Sequence, residues 1–279
     1  MQGLKQEQIC AKLKEVAARY PKAMVPQQVA DIPRIAFNIG LSMPARKPIQ
    51  ETVICDIGGG IGLFSVGCAA LGFGRVILVD DFGDQINREV GDSIFAIHRH
   101  YGVRVVSRDA LTDGLGDLDE RLDVVTSFDS MEHWHHSPKQ LFRQLASSMN
   151  SGGRFVIGVP NCVNLRKRLT VLFGRCKWSS MKDWYEPTVF RGHIREPDVE
   201  DLLYIAKDLG LKDVRVCRNW LGCQSRSRLV RIMAGILEPV MRLRPSLCSN
   251  LYLVAEKEGA GLGSGLENRG REVVAGASR

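Results

Sequence analysis

The strongest chemical signal in the chain is a glycine-rich turn directly after a short apolar run. From Val53 to Gly62 the sequence reads V-I-C-D-I-G-G-G-I-G. A glycine turn between a strand and a helix lets a ligand approach the backbone and meet the helix N-terminus. A dinucleotide-binding G-x-G-x-x-G motif is excluded, because its third glycine would fall on Leu63 or Ser65. The Gly-Lys-Ser/Thr ending of a triphosphate-binding loop is also missing. Many nucleotide cofactors use such a turn, so the turn alone does not identify the ligand.

The segments around this turn alternate between apolar runs that predict strands and amphipathic runs that predict helices. The predicted strands are Thr52–Asp56, Arg75–Val79, Val103–Ser107, Leu122–Phe128, Arg154–Val159, Val214–Arg218 and Leu251–Glu256. The predicted helices are residues 5–19, Leu63–Leu71, Ile86–Tyr101, Pro138–Met149 and Glu196–Leu209. Strands separated by helices of about 10–15 residues imply βαβ crossovers and a mostly parallel sheet.

The alternation of predicted strands and helices also defines the domain organisation. Residues 1–50 read as an N-terminal helical preamble, in which a stretch rich in Pro and Gln follows the first helix. Residues 51–258 form the α/β domain. A basic segment at 161–195 interrupts the alternation and reads as an insertion or lid. Residues 259–279, rich in Gly, Ser and charge, are predicted to be a disordered tail.

Taken in order, these motifs resemble those of the class I methyltransferases that depend on S-adenosyl-L-methionine (SAM). The fixed positions of that family's D-x-G-x-G-x-G turn fall on Asp56, Gly58, Gly60 and Gly62. The resemblance extends from Glu51 to Lys257 and implies a Rossmann-like fold, with a seven-stranded, mostly parallel sheet flanked by helices. The stretch Gly-His-Ile-Arg at 192–195 is similar to bacterial members of the ubiquinone-methyltransferase-like subgroups.

The resemblance also implies which residues bind SAM. Asp80, at the end of the second strand, takes the ribose hydroxyls, because a carboxylate accepts two hydrogen bonds side by side. Its neighbour Asp81 leaves the identity of this ligand open. Asp109, after the third strand, matches the acid that pairs with the adenine amino group. The full set of implied cofactor-binding residues is Asp56, Gly58, Gly60, Gly62, Asp80, Asp109, Ala110 and Phe128.

Two histidines are candidates for the chemistry itself. The methyl group of SAM is already activated, so the protein has to align the acceptor and, for a hydroxyl, provide a base. Histidine suits that role because it titrates near neutrality. His133 follows the fourth strand and is the first candidate, and His193 follows the lid and is the second; either one could instead only donate or accept a hydrogen bond.

The run His133–His136 also suggests a metal site. No converging Asp, Glu or Cys spacing accompanies it, however, so no metal is predicted.

Composition sets the outer limits. The chain has 279 residues, of which 44% are hydrophobic and 25% are charged, as in an ordinary globular protein. Its eight cysteines include no CxxC pair, which favours reduced thiols in a cytosolic protein over disulfides or a zinc site. No apolar stretch reaches the roughly 18 residues of a membrane span. These features predict a cytoplasmic location.

The net charge of +7 is unevenly placed, with two basic blocks in the C-terminal half, from Arg166 to Arg195 and from Arg215 to Arg244. Such blocks either attract phosphates or anionic lipid, or simply form a solvated basic surface. In the first block, Trp178, Trp184 and Tyr185 either stack on a substrate or pack within the lid. The second block contains the amphipathic segment Arg226–Leu243, which either contacts the membrane peripherally or packs on the sheet.

The function predicted from these observations is SAM-dependent methylation of a small-molecule, sugar or lipid-linked acceptor, with oxygen as the first choice of acceptor atom. A nucleic-acid (RNA) methyltransferase is the alternative that the basic charge suggests. Strand four ends in Ser-Phe-Asp-Ser at 127–130, however, and not in the Asn/Asp-Pro-Pro-aromatic tetrad of enzymes that methylate exocyclic base nitrogens. A third hypothesis is a SAM-binding or membrane-docking protein without turnover. The oligomeric state is left open.

Overall fold

The fold is known from a computed structural model, which describes residues 4–83, 85–175, 179–219 and 244–259 and four isolated positions between 228 and 236. Seven strands form one sheet. They are β1 (Val53–Ile57), β2 (Arg75–Asp80), β3 (Arg104–Ser107), β4 (Leu122–Phe128), β5 (Met149–Pro160), β6 (Leu211–Asn219) and β7 (Asn250–Lys257). Their order across the sheet is β3-β2-β1-β4-β5-β7-β6.

The first five strands are parallel, and β7 runs antiparallel between β5 and β6. The chain starts in the middle of the sheet at β1, builds outward through β2 and β3, and then crosses to β4 on the other side. A crevice forms at the carboxyl ends of the strands where the order reverses, and open α/β sheets bind their ligands there. The predicted Rossmann-like, mostly parallel seven-stranded sheet is confirmed.

Eight helices occur in the described residues. They are α1 (Gln6–Ala17), α2 (Val25–Leu41), α3 (Leu63–Ala70), α4 (Gln85–His100), α5 (Lys139–Ser148), α6 (Leu165–Leu172), α7 (Met181–Tyr185) and α8 (Val199–Asp208). Helices α6 and α7 lie in the predicted lid, between β5 and α8. The five predicted helices are confirmed with small shifts at their ends. Strand β5 begins earlier than predicted, because Met149 pairs with Leu122 ahead of a register shift.

Helix α2 was not predicted from the sequence. The prediction for this region, a Pro- and Gln-rich stretch followed by a short apolar piece, was wrong. Pro26 lies at the helix start, where a missing backbone N–H costs little. Pro33 lies inside the helix, where proline is normally disruptive. The helix forms because Ile32, Ala36 and Ile39 recur on one face and are buried. Tertiary packing therefore overrides the local effect of Pro33.

Two apolar cores cover the two faces of the sheet. One core joins α1, α2, α3 and α4 to the sheet, so that Leu13 and Ile39 lie in the same cluster as Ile54. The other core packs α5 and α8 on the opposite face, through residues such as Leu145 and Leu202. The N-terminal helices therefore share a core with the sheet that carries the crevice. Within the described ranges, no helix is both long and apolar enough to cross a bilayer.

Three predictions concern residues that the structure does not describe. They are Trp178, the tail from residue 260 onward, and the amphipathic segment Arg226–Leu243, apart from the four isolated positions noted above.

Candidate functional site

The glycine turn follows β1 and leads into α3. Gly58, Gly60 and Gly62 all have positive φ, at 70°, 55° and 64°, a conformation that L side chains rarely adopt. A Cβ at Gly58 would overlap the side chain of Ser130, which follows β4. A Cβ at Gly60 would meet no atom within 4 Å. The turn is therefore packed against β4 at Gly58 and open at Gly60.

A side chain at position 59 is excluded on steric grounds, which explains the glycine there. A Cβ there would overlap the carboxylate of Asp56 and the side chain of Leu78. Asp56 is buried at the end of β1, and its two carboxylate oxygens accept hydrogen bonds from the hydroxyls of Ser65, at 2.7 Å, and Thr126, at 2.8 Å. Burial raises the pKa of Asp56 to about 6. Asp56 thus ties β1 to α3 and β4 beneath the turn.

Asp80 holds the turn from the neighbouring strand. One carboxylate oxygen accepts a hydrogen bond from the backbone N–H of Gly60 at 2.8 Å, and the other from the N–H of Phe82 at 2.7 Å. A carboxylate can accept more hydrogen bonds than these two, so a ligand's hydroxyls can also be accommodated. Asp81 is exposed and accepts from its near neighbour Gly83 at 2.7 Å. The geometry favours Asp80 over Asp81 as the acid that is coupled to the turn.

Two neighbouring cavities open around the glycine turn. The first, of about 450 Å³, lies over the carboxyl ends of the parallel strands, and the second, of about 300 Å³, lies between the turn and α2. Both are within or near the usual size of small-molecule sites. The predicted residues on the first cavity are Gly58, Gly60, Asp80, Asp109 and Ala110; those on the second are Asp56, Gly58, Gly60, Gly62 and Phe128. The fold therefore gathers all eight predicted cofactor residues around one pair of cavities.

Helix α2 contributes a polar face to the second cavity that the sequence reading missed. Gln28, Asp31, Arg34 and Asn38 recur at helical spacing and line this cavity. Arg34 forms ion pairs with Asp31, at 3.5 Å, and with Asp129, which follows β4. The side-chain oxygen of Asn38 is buried and has no hydrogen-bond partner among the described residues. The periodicity of the four residues was a usable signal, but it required α2 to be recognised as a helix.

His133 and His193, predicted separately as candidate bases, lie together. Their ring centroids are 4.8 Å apart and their planes are nearly perpendicular. His133 lines the first cavity, and its Nδ1 donates to the backbone carbonyl of Arg191 at 2.8 Å. The Nδ1 of His193 lies 2.7 Å from a carboxylate oxygen of Glu196, and this hydrogen bond raises the pKa of His193. The lid thus brings a second imidazole to the one that follows β4.

Glu132 lies next to His133 and His193 and completes a cluster of three side chains. The sequence analysis predicted no role for it. It lies in a short 3₁₀ turn after β4 with 1% of its surface exposed. One carboxylate oxygen is 4.0 Å from Nε2 of His193, and the other is buried without a hydrogen-bond partner among the described residues. Burial raises the pKa of Glu132 to about 7. Its backbone carbonyl accepts from the N–H of Ile194 at 2.7 Å, which fastens the end of the lid to this turn.

The remaining lid residues divide into those on the cavity and those in solvent. Val189 and Arg191 line the first cavity. Trp184 and Tyr185 are mostly exposed and line neither cavity. The tryptophan on the cavity wall is Trp134, whose ring N–H donates to the hydroxyl of Ser130 at 3.0 Å. For Trp184 and Tyr185, the structure therefore shows neither stacking in a substrate cavity nor packing within the lid.

Comparison with known proteins agrees with this geometry. A protein family described as a methyltransferase domain matches residues 2–216. Among curated proteins, none is similar enough in sequence to count as a relative.

Several solved structures share the fold. A protein from Thermotoga maritima, described as a SAM-dependent methyltransferase and possible histamine N-methyltransferase, aligns with a TM-score of 0.54 at 15% identity, over 90% of this chain and 100% of that one. A cyclopropane-fatty-acyl-phospholipid synthase-like protein from Lactobacillus casei aligns with a TM-score of 0.55 at 14% identity, over 88% and 99%. An O-methyltransferase family protein from Burkholderia thailandensis gives 0.51 at 14%, over 92% and 64%. Identities this low establish a common fold and nothing about the acceptor.

The family match covers well over half of the chain, and the sheet order agrees with it. The chain belongs to the methyltransferase-domain family, and it shares its fold with a solved structure described as a SAM-dependent methyltransferase.

Proposed function

We propose that this protein methylates a hydroxyl oxygen of a small-molecule, sugar or lipid-linked acceptor. The observation that carries the proposal is the position of His133. It lines the same cavity as Asp80 and Asp109, the acids that the resemblance assigns to SAM. An acceptor that enters beside His133 would therefore meet the methyl donor and a proton-accepting cluster in one place.

The residues around the two cavities fit SAM chemically. Asp80 would accept hydrogen bonds from the ribose hydroxyls and Asp109 from the adenine amino group, as the resemblance implies. Arg34 lines the second cavity, and the guanidinium N–H groups that do not pair with Asp31 and Asp129 would bind the carboxylate of the methionine part. The open space at Gly60 lies between these groups and leaves room for the ligand against the backbone.

Two properties of the site bear on the reaction itself. When bound, SAM supplies a methyl group that its sulfonium centre already activates. The chain must hold the acceptor in line with the methyl group, and for a hydroxyl acceptor it must also provide a base that takes the proton. A neutral amine has a free lone pair and does not require this base. His133 lines the first cavity among several other titratable side chains, and it is grouped with His193 and the buried Glu132. Their presence supports oxygen as the acceptor atom.

Labelled SAM tests this proposal. The full-length protein is incubated with carbon-13-methyl SAM and fractionated cell extract, and the product is identified by nuclear magnetic resonance. We expect a methyl ether or ester. With that acceptor, His133→Gln should lower kcat by about 10²–10⁴-fold, the range for loss of a general acid or base, whereas SAM affinity stays unchanged. His100→Gln, at the far end of α4, is the matched control. An N-methyl or C-methyl product, or full activity in His133→Gln, would contradict the proposal.

The lid favours a lipid-linked acceptor within this class. It exposes large apolar side chains, namely Leu169, Val171, Leu172, Phe173, Met181, Trp184, Tyr185 and Val189. Arg166, Arg175 and Lys182 stand among them in sequence. Apolar groups that alternate with cations suit the surface of an anionic membrane. We therefore propose peripheral contact with the inner face of the membrane for a protein of the cytoplasm.

The two alternative functions give different results in the same assay. A nucleic-acid methyltransferase would label the RNA of the extract, and ribonuclease would remove that signal. A SAM-binding protein without turnover would bind S-adenosylhomocysteine in a calorimetric titration and yet label no fraction.

A further inference from the structure

We propose that Glu132, His133 and His193 form a binding site for one divalent transition-metal ion of the Zn²⁺ type. The inference goes beyond the proposed function, which holds whether an imidazole takes the acceptor proton or a bound cation acidifies the hydroxyl. Two imidazoles and one carboxylate are a donor set that such ions accept, with coordination positions left open for a substrate.

The positions of the donor atoms carry the first part of the argument. One donor atom from each of the three residues lies within 4.8 Å of the other two. Ligands to one such ion are each about 2.0–2.2 Å from it, and hence roughly 3–3.5 Å from one another. Small rotations of side chains would close the remaining gap. The linear sequence hides this set, because His193 follows the lid whereas Glu132 and His133 follow β4.

The hydrogen bonds around the two rings carry the second part. Nδ1 of His133 is held by the carbonyl of Arg191, and Nδ1 of His193 by the carboxylate of Glu196. An imidazole that donates from Nδ1 presents a lone pair at Nε2, and metal-binding histidines are typically oriented in this way by a carbonyl or a carboxylate. Glu196 is in turn paired with Lys167. Both rings thus have the outer support that a metal site needs.

The unpaired oxygen of Glu132 carries the third part. This atom is buried and has no hydrogen-bond partner among the described residues. A buried charged oxygen without a partner is costly, and a cation is the group that would offset it. The competing arrangement is a protonated His193 that bridges Glu132 and Glu196 without any metal. The two arrangements are exclusive, because a proton on Nε2 occupies the lone pair that the metal would use.

Cobalt binding separates the two. The tag-free, full-length protein is treated with a chelator, dialysed and titrated with Co²⁺, with visible absorption and calorimetry as readouts. We expect one Co²⁺ per chain with a visible absorption band, and competition by Zn²⁺. His193→Gln should weaken Co²⁺ binding at least tenfold, and Glu132→Gln should do the same. His100→Gln should bind as the wild type does.

Several results would overturn the metal site. These are the absence of a Co²⁺ band in the wild type, or unchanged affinity in His193→Gln as well as in Glu132→Gln. If Glu132→Gln fails to fold, as judged by circular dichroism, the wild-type spectrum and His193→Gln still decide the question. Binding of S-adenosylhomocysteine and methyl transfer are measured on the same samples. Failure of the metal site is therefore distinguishable from failure of the proposed function.

Discussion

The two sides of the crevice are built differently. On the sheet side, Asp56 and Asp80 each bind at least two partners within the protein, and the glycine turn is fixed between them. On the lid side, Leu172 and Phe173 leave 79% and 80% of their surface in solvent. Internal contacts thus fix the sheet side, whereas the end of α6 in the lid leaves large apolar side chains in solvent. A site can keep one cofactor geometry and still vary its acceptor if the two tasks fall to separate elements in this way.

The largest effect expected from this contrast concerns the buried Asp56 and pH. Its folded pKa, about 6, lies above its ordinary value of 3.8, so the folded state keeps a proton that the unfolded state releases. Its contribution to stability is therefore fully present near pH 4 and is lost as pH rises to about 6. The loss is about 3 kcal/mol, at about 1.4 kcal/mol for each pH unit between the two values.

Asp56→Asn removes this titration. The difference in unfolding free energy between the wild type and Asp56→Asn should shift in favour of the variant between pH 4 and pH 6, and should level off above. Urea denaturation at a series of pH values measures it. A difference that is independent of pH would show that Asp56 is not buried in the way described.

Asp80 is the next test of the sheet side. Asp80→Ala should weaken SAM binding by about 1–3 kcal/mol, the cost expected when buried hydroxyls and a backbone N–H lose a charged partner. Asp81→Ala is the matched control and should bind SAM with nearly wild-type affinity, because Asp81 is exposed and its own contact is to Gly83. Calorimetry with S-adenosylhomocysteine measures both. The reverse ranking would place the ribose ligand at Asp81.

The sequence predicted the sheet side well for a physical reason. A parallel strand buried on both faces produces an apolar run such as Val76–Val79, and a turn with positive φ requires glycine, so both leave local marks. The bounds of β4 were predicted to the residue. The predicted cofactor residues rest on these marks and on the resemblance.

Other parts of the site leave only a weak local mark in the sequence, or none. Helix α2 was missed because Pro33 lowers its local propensity, and Arg34 was missed with it. Pairing of His133 with His193 depends on how the lid returns to β4, across 60 residues of chain. Glu132 was visible in sequence only as a neighbour of His133. The burial of the Glu132 carboxylate, and the missing hydrogen-bond partner of one of its oxygens among the described residues, arise from tertiary packing. No local sequence pattern encodes them.

A pair of glycines sharpens the comparison at the turn. Gly60 and Gly102 both have positive φ, and a Cβ at either position would meet no atom within 4 Å. Alanine at either position should therefore cost about 1–2 kcal/mol of stability through backbone strain alone. Gly60→Ala should in addition weaken S-adenosylhomocysteine binding at least tenfold, because its methyl group projects into the space between the two cavities, and Gly102→Ala should not. Equal affinity in both variants would place the cofactor away from Gly60.

The smallest effect on stability is expected on the lid. Phe173→Ser should change the unfolding free energy by no more than about 0.5 kcal/mol, because its side chain has little contact to lose.

If the lid meets a membrane, the same substitution should weaken binding to anionic vesicles in a flotation assay at low salt. Wild-type binding should fall as ionic strength rises, since exposed charges are screened within about 8 Å at physiological salt. Tyr204→Ser, at an aromatic position on α8 that is also mostly exposed, is the matched control and should leave vesicle binding unchanged. A wild-type protein that ignores anionic vesicles at low salt would make a soluble acceptor the better choice, and equal losses in Phe173→Ser and Tyr204→Ser would mean that the lid has no special part in docking.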